Sequence, residues 1–139
     1  MQRSPISVGT ALLLLALACA TEKEPTPQQQ RIAAGRELYQ TYCIACHGAN
    51  GAGGVLAPYL APPPPDLKGI AARRGGEFPH AQVEAWIDGR GMLPSHGTRE
   101  MPAWGPSFRE ETWIDGTTET RVHERISLLV VYLESIQTP

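Results

Sequence analysis

Apolar residues are distributed along this chain in three distinct ways, and each predicts a different kind of segment. Near the N-terminus they form a run, Val8 through Ala20, that holds Leu12, Leu13, Leu14, Leu15 and Leu17 and shows no amphipathic period. Toward the other end they recur at helical spacing, so that Ile126, Leu129, Leu133 and Ile136 share one face of a final helix. A shorter helical pattern covers His80 to Asp88, with Val83, Trp86 and Ile87 directed inward and Gly89 as the C-terminal cap. Between these, Gly48 to Gly54 and Pro62 to Pro65 have neither a helical nor a strand period and read as loop.

The first of these patterns is an address rather than a piece of fold. Spanning a bilayer takes about 20 apolar residues, more than Val8 to Ala20 offers. Arg3 ahead of the run and small residues at its end describe an export signal. Cys19, in Leu15-Ala16-Leu17-Ala18-Cys19, resembles the cysteine of a bacterial lipobox, which receives diacylglycerol and becomes the mature N-terminus. Ordinary cleavage after the small-x-small sequence Ala18-Cys19-Ala20 is the competing reading. The polar, Pro-bearing stretch Thr21 to Gln30 then serves as a flexible tether. The expected organisation is an export signal over 1–18, an anchor and linker over 19–30, and one domain over 31–139. Ala20 in place of Asp after the cysteine resembles cargo sorted to the outer membrane.

Composition narrows the function. The 139 residues suffice for one domain, 42% hydrophobic content supports a core, and 12 Lys plus Arg against 14 Asp plus Glu leave no basic stretch for nucleic acid. With 13 Pro and 14 Gly the chain favours long ordered loops. Three cysteines cannot all pair within the chain. Two of them lie in Cys43-Ile44-Ala45-Cys46-His47, a spacing that suits covalent haem attachment: the thiols add across the porphyrin vinyls and His47 supplies an axial nitrogen. A thioredoxin-like redox pair lacks its βαβ surroundings here, and a zinc site lacks a second pair of ligands. Two cysteines for haem and Cys19 for lipid complete the count.

From Arg31 to Gln137 the chain resembles the class I cytochrome c family. Gly35 and Tyr39 stand eight and four residues before Cys43, where the family has a glycine and an aromatic on its first helix. Leu129 and Tyr132, in Leu129-Val130-Val131-Tyr132-Leu133, match its last helix. The resemblance implies a mostly α, small cytochrome c fold in which the N- and C-terminal helices cross and loops wrap one covalently bound haem. A side-chain-free Gly35 would let the helices approach, with Tyr39 and Tyr132 packing at the crossing. The first helix is expected from Gln28–Arg31 to about Cys43. A proline carbonyl, from Pro58 or one of Pro62 to Pro65, is expected to orient His47. Two internal methionines, Met92 and Met101, offer a thioether for the sixth position; Met101-Pro102-Ala103-Trp104 matches the family's distal motif, so Met101 is the expected ligand. His/Met ligation raises the potential relative to bis-His and fills the sixth position.

The remaining histidines, His80, His96 and His123, read as surface residues or hydrogen-bond partners, and Trp86 and Trp113 as packing residues. One stretch departs from the family pattern: Arg109 to His123 inserts polar residues, in which Asp115-Gly116 could turn a short hairpin. Five carboxylates and one arginine between Glu110 and Glu124 make a candidate acidic patch. The expected function is one-electron transfer between redox proteins of a respiratory chain, with no small-molecule substrate. The carrier would sit on the periplasmic side of a bacterial membrane, held by lipid, or in the soluble periplasm without it. A haem subunit of a larger oxidoreductase and a haem ligand sensor are the alternatives.

Overall fold

The computed structural model describes residues 23–90, 101–112 and 119–138. Five α-helices lie among them: α1 (Pro27–Tyr42), α2 (Ile44–His47), α3 (His80–Asp88), α4 (Trp104–Thr112) and α5 (Glu119–Ser135). Short 3-10 turns at Ala57–Tyr59, Leu67–Gly69 and Ala72–Arg74 punctuate the long connection from α2 to α3. No strand occurs among the described residues.

Helix α1 begins at Pro27, inside the stretch read above as tether. The cause is local: Thr26 accepts a hydrogen bond from the Gln29 amide at 3.2 Å, and the Gln29 side chain accepts one from the Thr26 amide at 2.8 Å. This reciprocal cap, with Pro27 in the first turn, starts the helix earlier than the apolar pattern alone indicates.

Helices α1 and α5 form the main packing pair. A Cβ on Gly35 would lie 2.1 Å from the Leu128 carbonyl oxygen and 2.9 Å from the Tyr132 Cβ, so only glycine permits this approach. One turn on, the Tyr39 and Tyr132 rings meet with centroids 5.1 Å apart. Tyr39, Phe108, Ile126 and Leu129 are the largest fully buried side chains, and the core continues through Val83, Ile87, Val122 and Leu133. The expected stripe on the last helix is therefore present, extended by Val122, with Ile136 packed at its end.

Helix α3 has the expected bounds and ends at Gly89, whose φ of 86° is the left-handed cap geometry. Its last residue, Asp88, is buried and ion-paired with Arg90. The Asp88 carboxylate sits against the first turn of α4, where a Cβ on Gly105 would fall 1.9 Å from Oδ1. A negative charge at a helix N-terminus is favourable.

The polar stretch from Arg109 to His123 needs correction. Arg109 to Thr112 close α4, and Glu119 to His123 open α5, so most of this stretch is helix. Helix α4 forms because Trp104 and Phe108, four residues apart, bury one face against Tyr42, at 5.2 and 5.0 Å between centroids. The Asp115-Gly116 hairpin and Trp113 lie outside the described residues.

Candidate functional site

The helices and the long connection leave one apolar cleft. Its larger lobe, about 250 Å³, is walled by Leu129 and Leu133 of α5, by Val83, Trp86 and Ile87 of α3, and by Leu67 and Ile70 of the connection. A smaller lobe of about 80 Å³ is bounded by Leu60, Pro62 to Pro65 and Pro102. Both lobes share Cys43, His47, Pro65, Met101 and Trp104. Thus Cys43, His47 and Met101, brought from opposite ends of the sequence, face one slot, with Cys46 on its smaller lobe.

Helix α2 explains the left side of the slot. Its four residues follow α1 after the single residue Cys43, and the chain then folds back on it: the Gly53 amide donates to the His47 carbonyl at 2.8 Å, and the Leu56 amide to that of Ala45 at 2.9 Å. Tyr39 pins the same loop by donating its hydroxyl to the Gly48 carbonyl at 2.7 Å, and burial raises the pKa of that hydroxyl. His47 is buried. Cys43 and Cys46 are not joined in a disulfide. Burial, and then the neighbouring Cys46, push the Cys43 thiol up to about 12.

Met101 also lines both lobes, three residues before α4. The Asp88–Gly105 contact and the packing of Gly89 against Ala103, where a Cβ would come within 2.3 Å, fix this segment to the end of α3. The sequence reading missed Asp88, Gly105 and Phe108. The spacing of Trp104 and Phe108 was the available signal for the last of these; for Asp88, a buried aspartate beside a cap glycine, there was none.

Among the described residues, the arginines that line the cleft, Arg73 and Arg74, stand at its edge on the long connection. Arg73 donates to the Asp66 carbonyl at 2.7 Å, and Arg74 lies over the Trp86 ring at 5.6 Å. Of the expected proline partners, Pro62 to Pro65 line the cleft, whereas Pro58 belongs to the Ala57–Tyr59 turn. His80 and His123 lie outside the cleft, each 2.9 Å from a glutamate oxygen, of Glu134 and Glu84 respectively. Trp86 lines the cleft as a packing residue. Cys19, Met92 and His96 lie outside the described residues, as does the apolar run ending at Ala20. Among the described residues no helix is long and apolar enough to cross a membrane.

A family model described as cytochrome c matches residues 32–135. The chain belongs to the cytochrome c family. Its members carry covalently attached haem c and transfer electrons, and the helical cytochrome c fold expected from the sequence is the one observed. Cytochrome c-551 of Bacillus subtilis is 30% identical over 103 residues, covering 66% of this chain and 78% of that protein. The dehydrogenase subunit of a quinone-dependent alcohol dehydrogenase from Gluconobacter oxydans is 40% identical over 74 residues, 52% of this cytochrome but 8% of that subunit. No solved structure gives a significant match.

The donor set fits a haem. Two thiols and a buried imidazole occupy one end of an apolar slot, and a thioether faces it from another segment. Arginines at the cleft's edge suit the two carboxylates such a group carries.

Proposed function

We propose that this cytochrome is a one-electron carrier whose haem is bonded to Cys43 and Cys46 and ligated by His47 and Met101. The observation that carries this reading is the convergence of these four side chains on one apolar cleft. The haem iron supplies the chemistry by alternating between two oxidation states. The chain holds geometry: α2 orients His47, the Asp88-braced segment presents Met101, and Arg73 and Arg74 neutralise the carboxylates. Leu129, Leu133, Val83 and Ile87 exclude water, so little solvent reorganises when the charge changes. Filling the sixth position with a thioether favours electron transfer over ligand sensing.

The carrier is exported and anchored by diacylglycerol on Cys19, on the periplasmic side of a bacterial membrane, with the residues up to Thr26 as leash. Two acyl chains give stable attachment, at ~0.8 kcal/mol per buried methylene. Its partners are redox proteins of a respiratory chain, and tethering raises their effective concentration. The likeness to part of the Gluconobacter subunit favours a second reading, a haem subunit of a larger oxidoreductase.

A pyridine haemochrome spectrum of the exported protein tests the cofactor, with a c-type spectrum expected; a colourless folded protein refutes the reading. Cys19→Ser is expected to release the protein from the membrane fraction and abolish lipid labelling. Co-purification with a dehydrogenase after mild detergent extraction would select the second reading.

A further inference from the structure

The connection between α2 and α3 supplies Leu67, Ile70, Arg73 and Arg74 to the cleft. Its regular structure over this stretch is slight, the short 3-10 turns Leu67–Gly69 and Ala72–Arg74. Turns this short, with poorly aligned hydrogen bonds, do not hold a position by themselves. What fastens them comes from the residues just beyond α5. The Gln137 side chain accepts from the Ala71 amide at 2.9 Å, and donates to the Leu67 carbonyl at 2.9 Å and the Leu133 carbonyl at 2.7 Å. The Thr138 amide adds a bond to the Lys68 carbonyl at 3.0 Å.

Gln137 suits its place by chemistry as well as by reach. Its surroundings offer one N–H donor and two carbonyl acceptors. A primary carboxamide, with an acceptor oxygen and two N–H donors, is the side-chain group that answers all of them. Leu133 lies in the last turn of α5, and the final carbonyls of a helix lack partners within it. One side chain therefore caps α5 and ties it to the connection. Leu67 passes the tie onward, since its amide donates to the Gly51 carbonyl at 2.8 Å, in the loop that follows His47. Gln137 is half-buried and Ala71 buried, so breaking these bonds leaves polar groups poorly supplied with water.

We propose that Gln137 is a positioning residue for the redox group, a latch that seats residues 67–74 against the haem and thereby sets its potential. This rests on the haem assignment above. Two effects of the latch act in the same direction. A seated connection keeps Arg73 and Arg74 at the cleft's edge, where positive charge disfavours the oxidised, more positive iron. It also keeps Leu67 and Ile70 in place as apolar wall, and water admitted instead would favour the more highly charged state. Releasing the latch therefore lowers the potential while both axial ligands stay in place.

Gln137→Met keeps the length and apolar stem of the side chain and removes its bonds to Ala71, Leu67 and Leu133. In the holoprotein, hydrogen exchange at the Ala71 amide is expected to quicken about tenfold or more, while exchange at the Tyr39 amide in α1 holds. At one fixed applied potential, the ratio of oxidised to reduced protein should rise about threefold or more, with the Met101 sulfur-to-iron band retained. Gln137→Asn keeps the carboxamide but shortens its reach, and should shift both readings the same way by less. Ser127→Ala removes the bond from Arg31 at 2.9 Å, which joins α1 to α5 away from the cleft, and should move neither. An unchanged ratio in Gln137→Met overturns the proposal. So does unchanged Ala71 exchange, an equal shift in Ser127→Ala, or loss of the sulfur band, since each makes Gln137 an ordinary structural residue. Absence of the c-type haemochrome spectrum defeats the haem assignment, whereas a normal spectrum with an unmoved potential defeats the latch alone.

Discussion

Residues 38–65, and residues 101–112 together with 119–125, both carry core side chains and exposed ones, and they use opposite chemistry. The first segment is closed by backbone hydrogen bonds onto α2 and carries no charged side chain. The second is two helices tied together by Arg109–Glu119, Arg125–Glu111 and the Arg125 guanidinium over Phe108 at 5.2 Å. Among the described residues, charge thus joins α4 to α5, while residues 38–65 carry none. The first segment is therefore held by its own main chain, the second by side-chain charge.

Four substitutions sharpen this contrast. Gly35→Ala attacks the support beneath both regions, since its methyl would meet the Leu128 carbonyl. A loss of about 1–3 kcal/mol or more is expected from such overpacking, at roughly 4–8 °C in Tm per kcal/mol for a domain of this size. Thermal unfolding of the holoprotein checks it. Met101→Ala confines the damage to the cleft: the sulfur-to-iron charge-transfer band of the oxidised protein should vanish and the potential fall, whereas Met92→Ala should preserve both. The reverse pattern would exchange the two methionines.

Smaller effects follow at the charged margins. Arg74→Gln removes a cation from the cleft's edge, so the potential should drop by an amount on the order of tens of millivolts, measured by voltammetry. Glu111→Gln probes the α4–α5 face. The Tyr42 hydroxyl, and then Arg125, hold the Glu111 carboxyl below the usual carboxylate range. A depressed folded pKa stabilises above the unfolded value and is lost as pH falls through the folded one. The variant should therefore be less stable than wild type at neutral pH by less than ~1 kcal/mol, the site being largely exposed. The two denaturation curves should converge as pH drops below about 4.3.

Much of this architecture was legible in the residues because it rests on local rules. The stripe Ile126, Leu129 and Leu133 has one physical reading, and Val83, Ile87 and Gly89 fix both the buried face and the end of α3. Cys43, Cys46 and His47 are adjacent, so their meeting needs no knowledge of the fold. Helix α4 was hidden because its polar residues suggested an insertion, while its stability comes from packing Trp104 and Phe108 on Tyr42, 62 and 66 residues away in sequence. Asp88 was hidden for the same reason: its partner, the first turn of α4, is chosen by tertiary approach. The early start of α1 differs, since Thr26 and Gln29 spelled it out locally and the proline-rich composition masked it.

The contact between Gly35 and Leu128 also couples two parts of the cleft to one joint. Helix α5 supplies a wall through Leu129 and Leu133, while α1 leads directly into Cys43, so the wall and the thiol that faces the same space are held together where the two helices touch. Parting α5 from α1 at this glycine would unroof the apolar lining and Cys43 in a single movement, and reseating it would cover both again.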